Sequence, residues 1–190
     1  MITYNKTIEV WTYNLPAGRT CPASSAWCME NCYGRKGRFR FNKVNKIQLQ
    51  HVEQTKQEDF VRKIAAEIQR VHLFRFHSSG DFYSVPYLEK AVDIAKKCPS
   101  TCFCIYTKTW RLNGRYNEAL MKLGSLENVH LFASCDPSTE DVPGSWPFRI
   151  AYSGQNGHES LPCPKILEHS TCNVCRYCYK PGGHVYFPKH

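Results

Sequence analysis

Several features that are common in exported and membrane proteins are missing from this 190-residue sequence. No apolar run approaches the ~20 residues needed to cross a bilayer. The opening MITYNKTIEVW also lacks a basic segment followed by an apolar one. The sequence therefore predicts neither a membrane span nor a secretory signal. Internal repeats and low-complexity tracts are absent as well, and the length fits one globular domain with an appendage, because single cores stop growing only beyond ~250 residues.

The chain carries only a moderate excess of positive charge. Lys and Arg number 25 against 16 Asp and Glu, which gives a net charge of +9. A balance of this size permits an anionic partner such as nucleic acid but does not require one. Basic side chains concentrate in the stretch 35–46, with Phe39 and Phe41 between them. Such a stretch is either a solvated face or a surface that attracts a phosphate backbone. Its basic residues are Arg35, Lys36, Arg38, Arg40, Lys43 and Lys46.

Cysteine, in contrast, is abundant. The chain has 11 cysteines, an odd number that cannot all pair as disulfides. Without an export signal we expect a reducing, cytoplasmic compartment in which disulfides do not persist. The clustered cysteines therefore indicate metal or iron–sulfur ligands.

The middle of the chain alternates helical and strand patterns. The segment TKQE at 55–58 is a capping-box pattern that predicts a helix to about Arg70. The segment VHLFRFHSS then reads as a buried strand, and Ser84 predicts the start of a second helix that ends at Cys98. Further strands are predicted at CFCIYTK, VHLFAS and FRIAYS, with a short helix at YNEALMKL.

Strands that alternate with helices favour a parallel sheet with right-handed crossovers. We therefore predict an α/β fold whose parallel sheet forms an incomplete barrel over residues 1–155. Residues 156–190 are rich in Gly, Pro, Cys and His, and we expect them to form an irregular, cysteine-rich tail. Ligands of such sheets bind at the carboxyl ends of the strands.

Three cysteines follow the first predicted strand, Ile8 to Trp11, in the loop 21–34. Cys21, Cys28 and Cys32 have the spacing C-x6-C-x3-C. Three thiolates can ligate three irons of a [4Fe-4S] cubane and leave the fourth iron open. A zinc ion that takes a fourth ligand from elsewhere is one alternative, and three buried thiols without a metal are the other.

A second group of cysteines lies in the tail. Its members are Cys163, Cys172, Cys175 and Cys178. A C-x2-C-x2-C run curls round one face of a cubane, and a remote Cys-Pro can supply the fourth thiolate. Structural zinc is the alternative, because His169 and His184 are near in sequence.

Other candidate residues follow the predicted strands. Ser79, Gly80 and Asp81 come after VHLFRFHSS, where glycine lets a ligand approach the backbone and the carboxylate can bind an ammonium group. The alternative is a turn with a capping aspartate. Further candidates to line a site are His77, Lys108, Ser134 and Asp136.

Three more cysteines are interpreted as core residues. Cys102 and Cys104 share one face of a predicted strand, and Cys135 ends the next strand. A meeting of the three thiols is the alternative. Core packing is favoured, because cysteine is among the most buried residue types.

These motifs carry a resemblance to known proteins. The order of strand, cysteine loop and helix, with Tyr33 after the third cysteine and Ser-Gly-Asp after the next strand, resembles the radical S-adenosylmethionine fold. Over most of the chain, LPAGRTCPASSAWCMENCYGRKG, RFHSSGDFYS, IYTKTW, SCDPS and the late CP with CxxCxxC resemble a phage and plasmid family called gene product eighty-eight. Typical radical enzymes have C-x3-C-x2-C and Gly-Gly-Glu at the corresponding places.

The resemblance implies that Cys21, Cys28 and Cys32 hold a [4Fe-4S] cluster and that residues 79–81 hold the amino group of S-adenosylmethionine. It also implies that the tail cysteines bind a second cluster, which either delivers an electron or ties down the tail. The expected function is a radical enzyme of unknown substrate in the host cytoplasm, served by an electron donor protein. The alternatives are a non-catalytic electron-transfer protein and a zinc-stabilised nucleic-acid-binding protein.

Overall fold

A single mostly parallel sheet organises the chain. A computed structural model describes residues 1–154, 159–168 and 170–188. The strands in these residues are β1 (Thr3–Asn5), β2 (Val10–Tyr13), β3 (Leu73–Phe76), β4 (Cys102–Thr107), β5 (Val129–Cys135), β6 (Arg149–Ser153), β7 (Ser160–Pro162) and β8 (His184–Phe187). Their order is β1-β2-β3-β4-β5-β6-β8-β7, and within the described residues only β1 and β2 pair antiparallel. The sheet stays open, which confirms the predicted α/β class.

Helices alternate with the central strands. They are α1 (Ala26–Asn31), α2 (Asn42–Lys56), α3 (Phe60–Ile68), α4 (Val85–Lys97), α5 (Arg115–Gly124), α6 (Pro164–Leu167) and α7 (Cys172–Cys175). The predicted start of α4 is confirmed, because the Ser84 side chain accepts a hydrogen bond from the Tyr87 amide at 3.4 Å. In the part of the chain that the structure describes, no helix is both long and apolar enough to cross a membrane.

The predicted capping box at 55–58 is wrong. Thr55 lies in the last turn of α2, where its hydroxyl bonds to the Val52 carbonyl at 2.7 Å and to the Tyr83 hydroxyl at 2.6 Å. The next helix, α3, begins only at Phe60. Helix α2 escaped prediction because the residues it buries, Gln48, His51 and Thr55, are polar and give no apolar periodicity.

The two faces of the sheet bury different residues. Helices α3, α4 and α5 cover one face, whose strand residues include Phe74, Phe103, Ile105, Leu131 and Cys135. The second face is covered by the tail. The residues of this second core include Val10, Cys104, Phe132, Cys163, Tyr179 and Val185. Because successive side chains alternate across a strand, Cys104 and Cys135 end on opposite faces, and the three central cysteines do not meet.

The tail belongs to the sheet rather than only covering it. Strand β8 pairs with β6 and with β7, so the last strand in the chain lies between two earlier ones. The Cys172 amide donates to the Ile8 carbonyl at 3.1 Å, which joins the two ends of the chain. The boundary predicted at 155/156 and the proposed ligand His169 lie outside the described residues.

Replacing Asn128 by alanine tests the connection between α4 and β4. The Asn128 side-chain amide donates to the carbonyls of Ala95, Cys98 and Thr101 at 2.9–3.1 Å. Asn128→Ala leaves these carbonyls without their donor, so we expect the free energy of unfolding to fall by about 1–3 kcal/mol. Denaturant titration measures this, and Asn45→Ala on the exposed side of α2 is the control. Equal stability of the two variants would contradict the prediction.

Candidate metal centres on two sides of the sheet edge

The cysteine loop is fastened to the segment that follows β3. The Leu15 amide donates to the Ser79 carbonyl at 2.9 Å, and the Ser79 hydroxyl donates back to the Leu15 carbonyl at 2.9 Å. The Asp81 amide donates to the Thr20 carbonyl at 3.0 Å. The Ser79–Asp81 segment therefore holds the loop by hydrogen bonds at the carboxyl edge of the sheet, where the sequence predicts a site.

Gly80 makes this close approach feasible. Its φ is +83°, a conformation that side chains other than glycine rarely adopt. A Cβ atom there would lie 2.6 Å from the Leu15 Cβ and 2.7 Å from the Thr20 hydroxyl. Glycine is thus required by the contact between the loop and the strand end.

Helix α1 presents two of the three loop cysteines. Cys28 lies within it and Cys32 ends it. Ser25 caps the helix by accepting a hydrogen bond from the Cys28 amide at 3.0 Å, and its hydroxyl donates to Asp136 at 2.6 Å. Because Asp136 follows β5, this bond fixes the cysteine helix to the end of another strand.

The loop thiols lie within electrostatic reach of one another. Burial raises the pKa of Cys21 to about 12, and Asp81 and the thiols of Cys28 and Cys32 add to the shift. Burial also raises the pKa of Cys28, which the charge of Lys108 opposes. Burial thus favours the protonated form of the Cys21 and Cys28 thiols, and a metal centre has to displace these protons.

The loop offers three sulfur donors. Within the described residues, no three His, Cys, Asp or Glu side chains are grouped closely enough to hold one metal ion. A zinc ion draws four ligands onto a single atom, whereas a cubane places each thiolate on a different iron. A donor set of thiolates alone is used by both kinds of centre.

Asp81 is placed beside the loop but is already engaged. Its carboxylate accepts hydrogen bonds from the Phe82 amide at 2.8 Å, the Thr107 hydroxyl at 2.7 Å and the Lys108 amide at 2.8 Å. Burial nevertheless raises its pKa, against the effect of these donors. Asp81 therefore ties the end of β3 to the end of β4.

Two of the predicted lining residues form a buried ion pair near the loop. The Lys108 ammonium lies 2.6 Å from an Asp136 oxygen and 3.3 Å from the Ser134 carbonyl. Although burial opposes it, hydrogen bonds from Lys108 and Ser25 keep the pKa of Asp136 below its usual value. The pair sets one positive and one negative charge beside Cys28.

His77 is located elsewhere. Its ring is buried among Phe76, Phe82 and Tyr87, and its Nε2 lies 2.7 Å from the Tyr87 hydroxyl. Burial and the nearby charge of Arg75 lower the pKa of His77 to about 3. His77 is thus a neutral residue of the helix-covered core and does not join the cysteine loop.

The tail cysteines gather on the other face of the sheet. Cys163 is buried at the start of α6. Helix α7 begins at Cys172 and ends at Cys175, and Cys178 lies in the turn that follows. Burial raises the pKa of Cys163 and Cys172, and neighbouring tail thiols contribute to both shifts. The four thiols therefore occupy one neighbourhood.

Sequence analysis missed the strand residues that surround these tail thiols. Hydrogen bonds from Cys104 and Tyr106 lower the pKa of Cys178 to about 7 against the effect of burial, and the charges of Arg149 and Arg75 assist. The alternation of β4 places Cys104 and Tyr106 on one face. The contact between this face of β4 and Cys178 depends on how the tail packs against the sheet, so it could not be predicted from the sequence.

Comparisons with known proteins give a family. A family profile described as "Gene product 88" matches residues 1–145. The "Gene 88 protein" of Mycobacterium phage L5 is 28% identical over 145 residues, and that of Mycobacterium phage D29 is 24% identical over 143. Each alignment covers 67% of this chain and 58% of the relative, so the chain spans less than two thirds of their length. No solved structure gives a significant match.

The matched residues include the cysteine loop and the Ser79–Asp81 segment. The tail cysteines, from Cys163 onward, follow the last matched residue. The family match therefore includes the cysteine loop and does not extend to the tail cysteines.

Replacing Gly80 by alanine tests the contact that supports the loop. The added methyl group meets Leu15 and Thr20 in a positive-φ conformation, so we expect a loss of about 2–4 kcal/mol in the free energy of unfolding. Gly144→Ala is the matched control, because a Cβ there meets nothing within 4 Å. Denaturant titration under anaerobic conditions gives both values. A Gly80→Ala protein as stable as the control would show that the contact is not required.

Proposed function

The chain belongs to the Gene product 88 family, and from this premise and the geometry of the loop we propose that it is a [4Fe-4S] protein and a radical S-adenosylmethionine-like enzyme. The supporting observation is the position of Cys21, Cys28 and Cys32. Three sulfur donors occupy one loop at the carboxyl edge of a parallel sheet, where α/β proteins bind their ligands. A three-cysteine set leaves one iron of a cubane without a protein ligand.

The surroundings of the loop suit a ligand that carries both an amino and a carboxylate group. Ser79, Gly80 and Asp81 are the proposed contacts for the amino group. Because three protein donors already use the Asp81 carboxylate, its part is to share an oxygen and to hold the edge in shape. Lys108 brings a positive charge beside Cys28, and this charge is the proposed contact for the carboxylate.

A cluster on Cys21, Cys28 and Cys32, with S-adenosylmethionine held by Ser79, Gly80 and Asp81, would supply radical chemistry that removes hydrogen from a substrate. The protein's own contribution is to position the reactants and exclude water. Loop residues Ala23 and Ser25 are buried, which limits water on the side of the loop that faces the sheet. The electron comes from a donor protein in the cytoplasm of the host cell.

We assign the second cluster to the tail cysteines Cys163, Cys172, Cys175 and Cys178. Four thiolates leave no iron free for a substrate, so this centre carries electrons or holds the tail in place. If neither centre binds S-adenosylmethionine, the protein is an electron-transfer protein. If the tail group binds zinc, its role is structural.

Iron content tests the proposal. Two cubanes give about eight irons per chain after anaerobic purification, and one gives about four. We expect Cys28→Ser and Cys175→Ser each to lose about half of the iron, because each removes a ligand from a different centre. Cys135→Ser is the matched control, since Cys135 is buried on the helix-covered face. Electron paramagnetic resonance of the reduced protein should change when S-adenosylmethionine is added, and should not change in Cys28→Ser.

Three results of this experiment would contradict the proposal. Zinc without iron would remove the iron–sulfur assignment. Retention of all iron in Cys28→Ser would show that the loop holds no cluster. Clusters without a response to S-adenosylmethionine would favour the electron-transfer protein.

We further propose nucleic acid as a partner at the basic stretch 35–46. The observation that favours it is a group of exposed cations, and none of these side chains pairs with a carboxylate among the described residues. Tyr33 and Phe41 are exposed to 53% and 61%, and Phe41 lies between Arg40 and Lys43 in the sequence. Exposed aromatic residues beside cations suit single-stranded nucleic acid, whose bases stack on aromatic side chains.

Helix α2 adds to the positive charge of this surface. It begins at Asn42 without a side-chain cap and has no acidic residue in its first turn. Lys43 lies at this end, where the helix dipole is already positive and favours an anion. The basic stretch is therefore arranged to attract phosphate.

Salt dependence tests this partner. We expect the triple variant Arg38→Gln, Arg40→Gln, Lys43→Gln to bind single-stranded oligonucleotides more weakly. The plot of log association constant against log salt concentration has a negative slope. The magnitude of this slope should decrease by about 2, since each single-strand phosphate contact contributes about 0.7. A matched variant, Arg70→Gln, Lys96→Gln, Lys97→Gln, removes three exposed cations elsewhere. Fluorescence anisotropy at several salt concentrations measures both, and equal slopes would contradict the assignment.

A further inference from the structure

Two arginines that the proposed function does not use lie against the tail cysteines. Arg75 on β3 places its guanidinium 4.7 Å from the centre of the Tyr106 ring, and its Nε donates to the His77 carbonyl at 3.2 Å. Its charge acts on Cys172 and Cys178. Arg75 therefore lies between the sheet and the tail.

Arg149 on β6 holds the turn that carries Cys178. Its guanidinium lies 4.3 Å from the Phe132 ring and 4.7 Å from the Tyr177 ring. It donates to the carbonyls of Tyr177, Lys180 and Gly183 at 2.6–3.3 Å. The remaining nitrogen, Nη2, is buried and has no hydrogen-bond acceptor within the part of the chain that the structure describes. Its N–H donors are thus available to a further acceptor.

Neither guanidinium has an acidic partner. Within residues 1–154, 159–168 and 170–188, no carboxylate lies within ion-pair distance of Arg75 or Arg149. Enclosing a charge without a counter-charge is costly. The nearby groups that can become negative are thiols, above all Cys172 and Cys178.

We propose that Arg75 and Arg149 are the counter-charges of an anionic, thiolate-ligated metal centre on the tail cysteines. The inference rests on the proposed tail centre. Four thiolates would give such a centre net negative charge, which the two guanidiniums would offset. The unpartnered Arg149 Nη2 would be available as a donor to it. Both arginines are positioning residues and take no part in bond making.

The test compares Arg75→Gln, Arg149→Gln and Arg75→Lys in the anaerobically purified full chain. Arg62→Gln, on the exposed side of α3, is the control. Two quantities are measured: the rate at which a chelator removes the tail metal, and the midpoint potential of each iron centre. Cys175→Ser identifies the signal of the loop centre, because it lacks the tail centre.

We expect the chelator to remove the tail metal about tenfold faster from Arg75→Gln and from Arg149→Gln than from Arg62→Gln. The ratio of reduced to oxidised tail centre at a fixed potential should fall about tenfold, which is 59 mV for one electron. Arg75→Lys keeps the charge and should stay near the wild type.

Each remaining outcome separates this inference from the proposed function. Unchanged chelator rates and potentials in both glutamine variants would overturn the inference while leaving the metal centres in place. A wild-type tail without metal would overturn both. Zinc in the tail removes the iron assignment there, and the chelator rate still decides the role of the arginines. If Arg75→Gln does not fold, Arg149→Gln carries the same test.

Discussion

The close contact of Gly80 with Leu15 and Thr20 is the constraint on which the cysteine loop depends. A Cβ atom on Gly80 would lie only 2.6 Å from the Leu15 Cβ. Because glycine has no such atom, the loop can pack directly against the end of the strand. Ser79 and Asp81 add backbone hydrogen bonds on either side of this point. The path of the loop that carries Cys21 is thereby determined by the sheet itself. A cluster of the kind proposed would meet a loop that is already held in place.

The strict alternation of side chains along β3, β4 and β5 explains why the two cysteine groups have different surroundings. Phe74, Phe103 and Leu131 face the helices, whereas Arg75, Cys104 and Phe132 face the tail. One face of the sheet is therefore an ordinary hydrophobic core. The other combines thiols, aromatic rings and half-buried guanidinium groups. The separation follows from the two-residue period of a strand.

The sequence predicted the elements whose apolar residues are periodic and whose ends have local signals. Strands β3 to β6 and helix α4 are examples, because Ser84 and Cys98 mark the ends of α4 within a few residues. Helix α2 could not be predicted in the same way, since the residues that it buries, Gln48, His51 and Thr55, are polar, and His51 and Thr55 bond to partners distant in sequence. The cysteine spacing identified both candidate groups. The contribution of Arg75 and Arg149 depends on how the tail packs against the sheet, and no local pattern contains that information.

The position of β8 between β6 and β7 has a consequence for synthesis on the ribosome. Loop contacts such as the bond from Ser25 to Asp136 need only the first three quarters of the chain. The tail contacts instead join residues 162 positions apart, as in the bond from Thr171 to Glu9, and β7 has no partner strand until β8 has emerged. The contacts that position the tail cysteines therefore form later during translation than those that position the loop. A chain that stalls before β8 lacks the strand that joins β7 to the sheet.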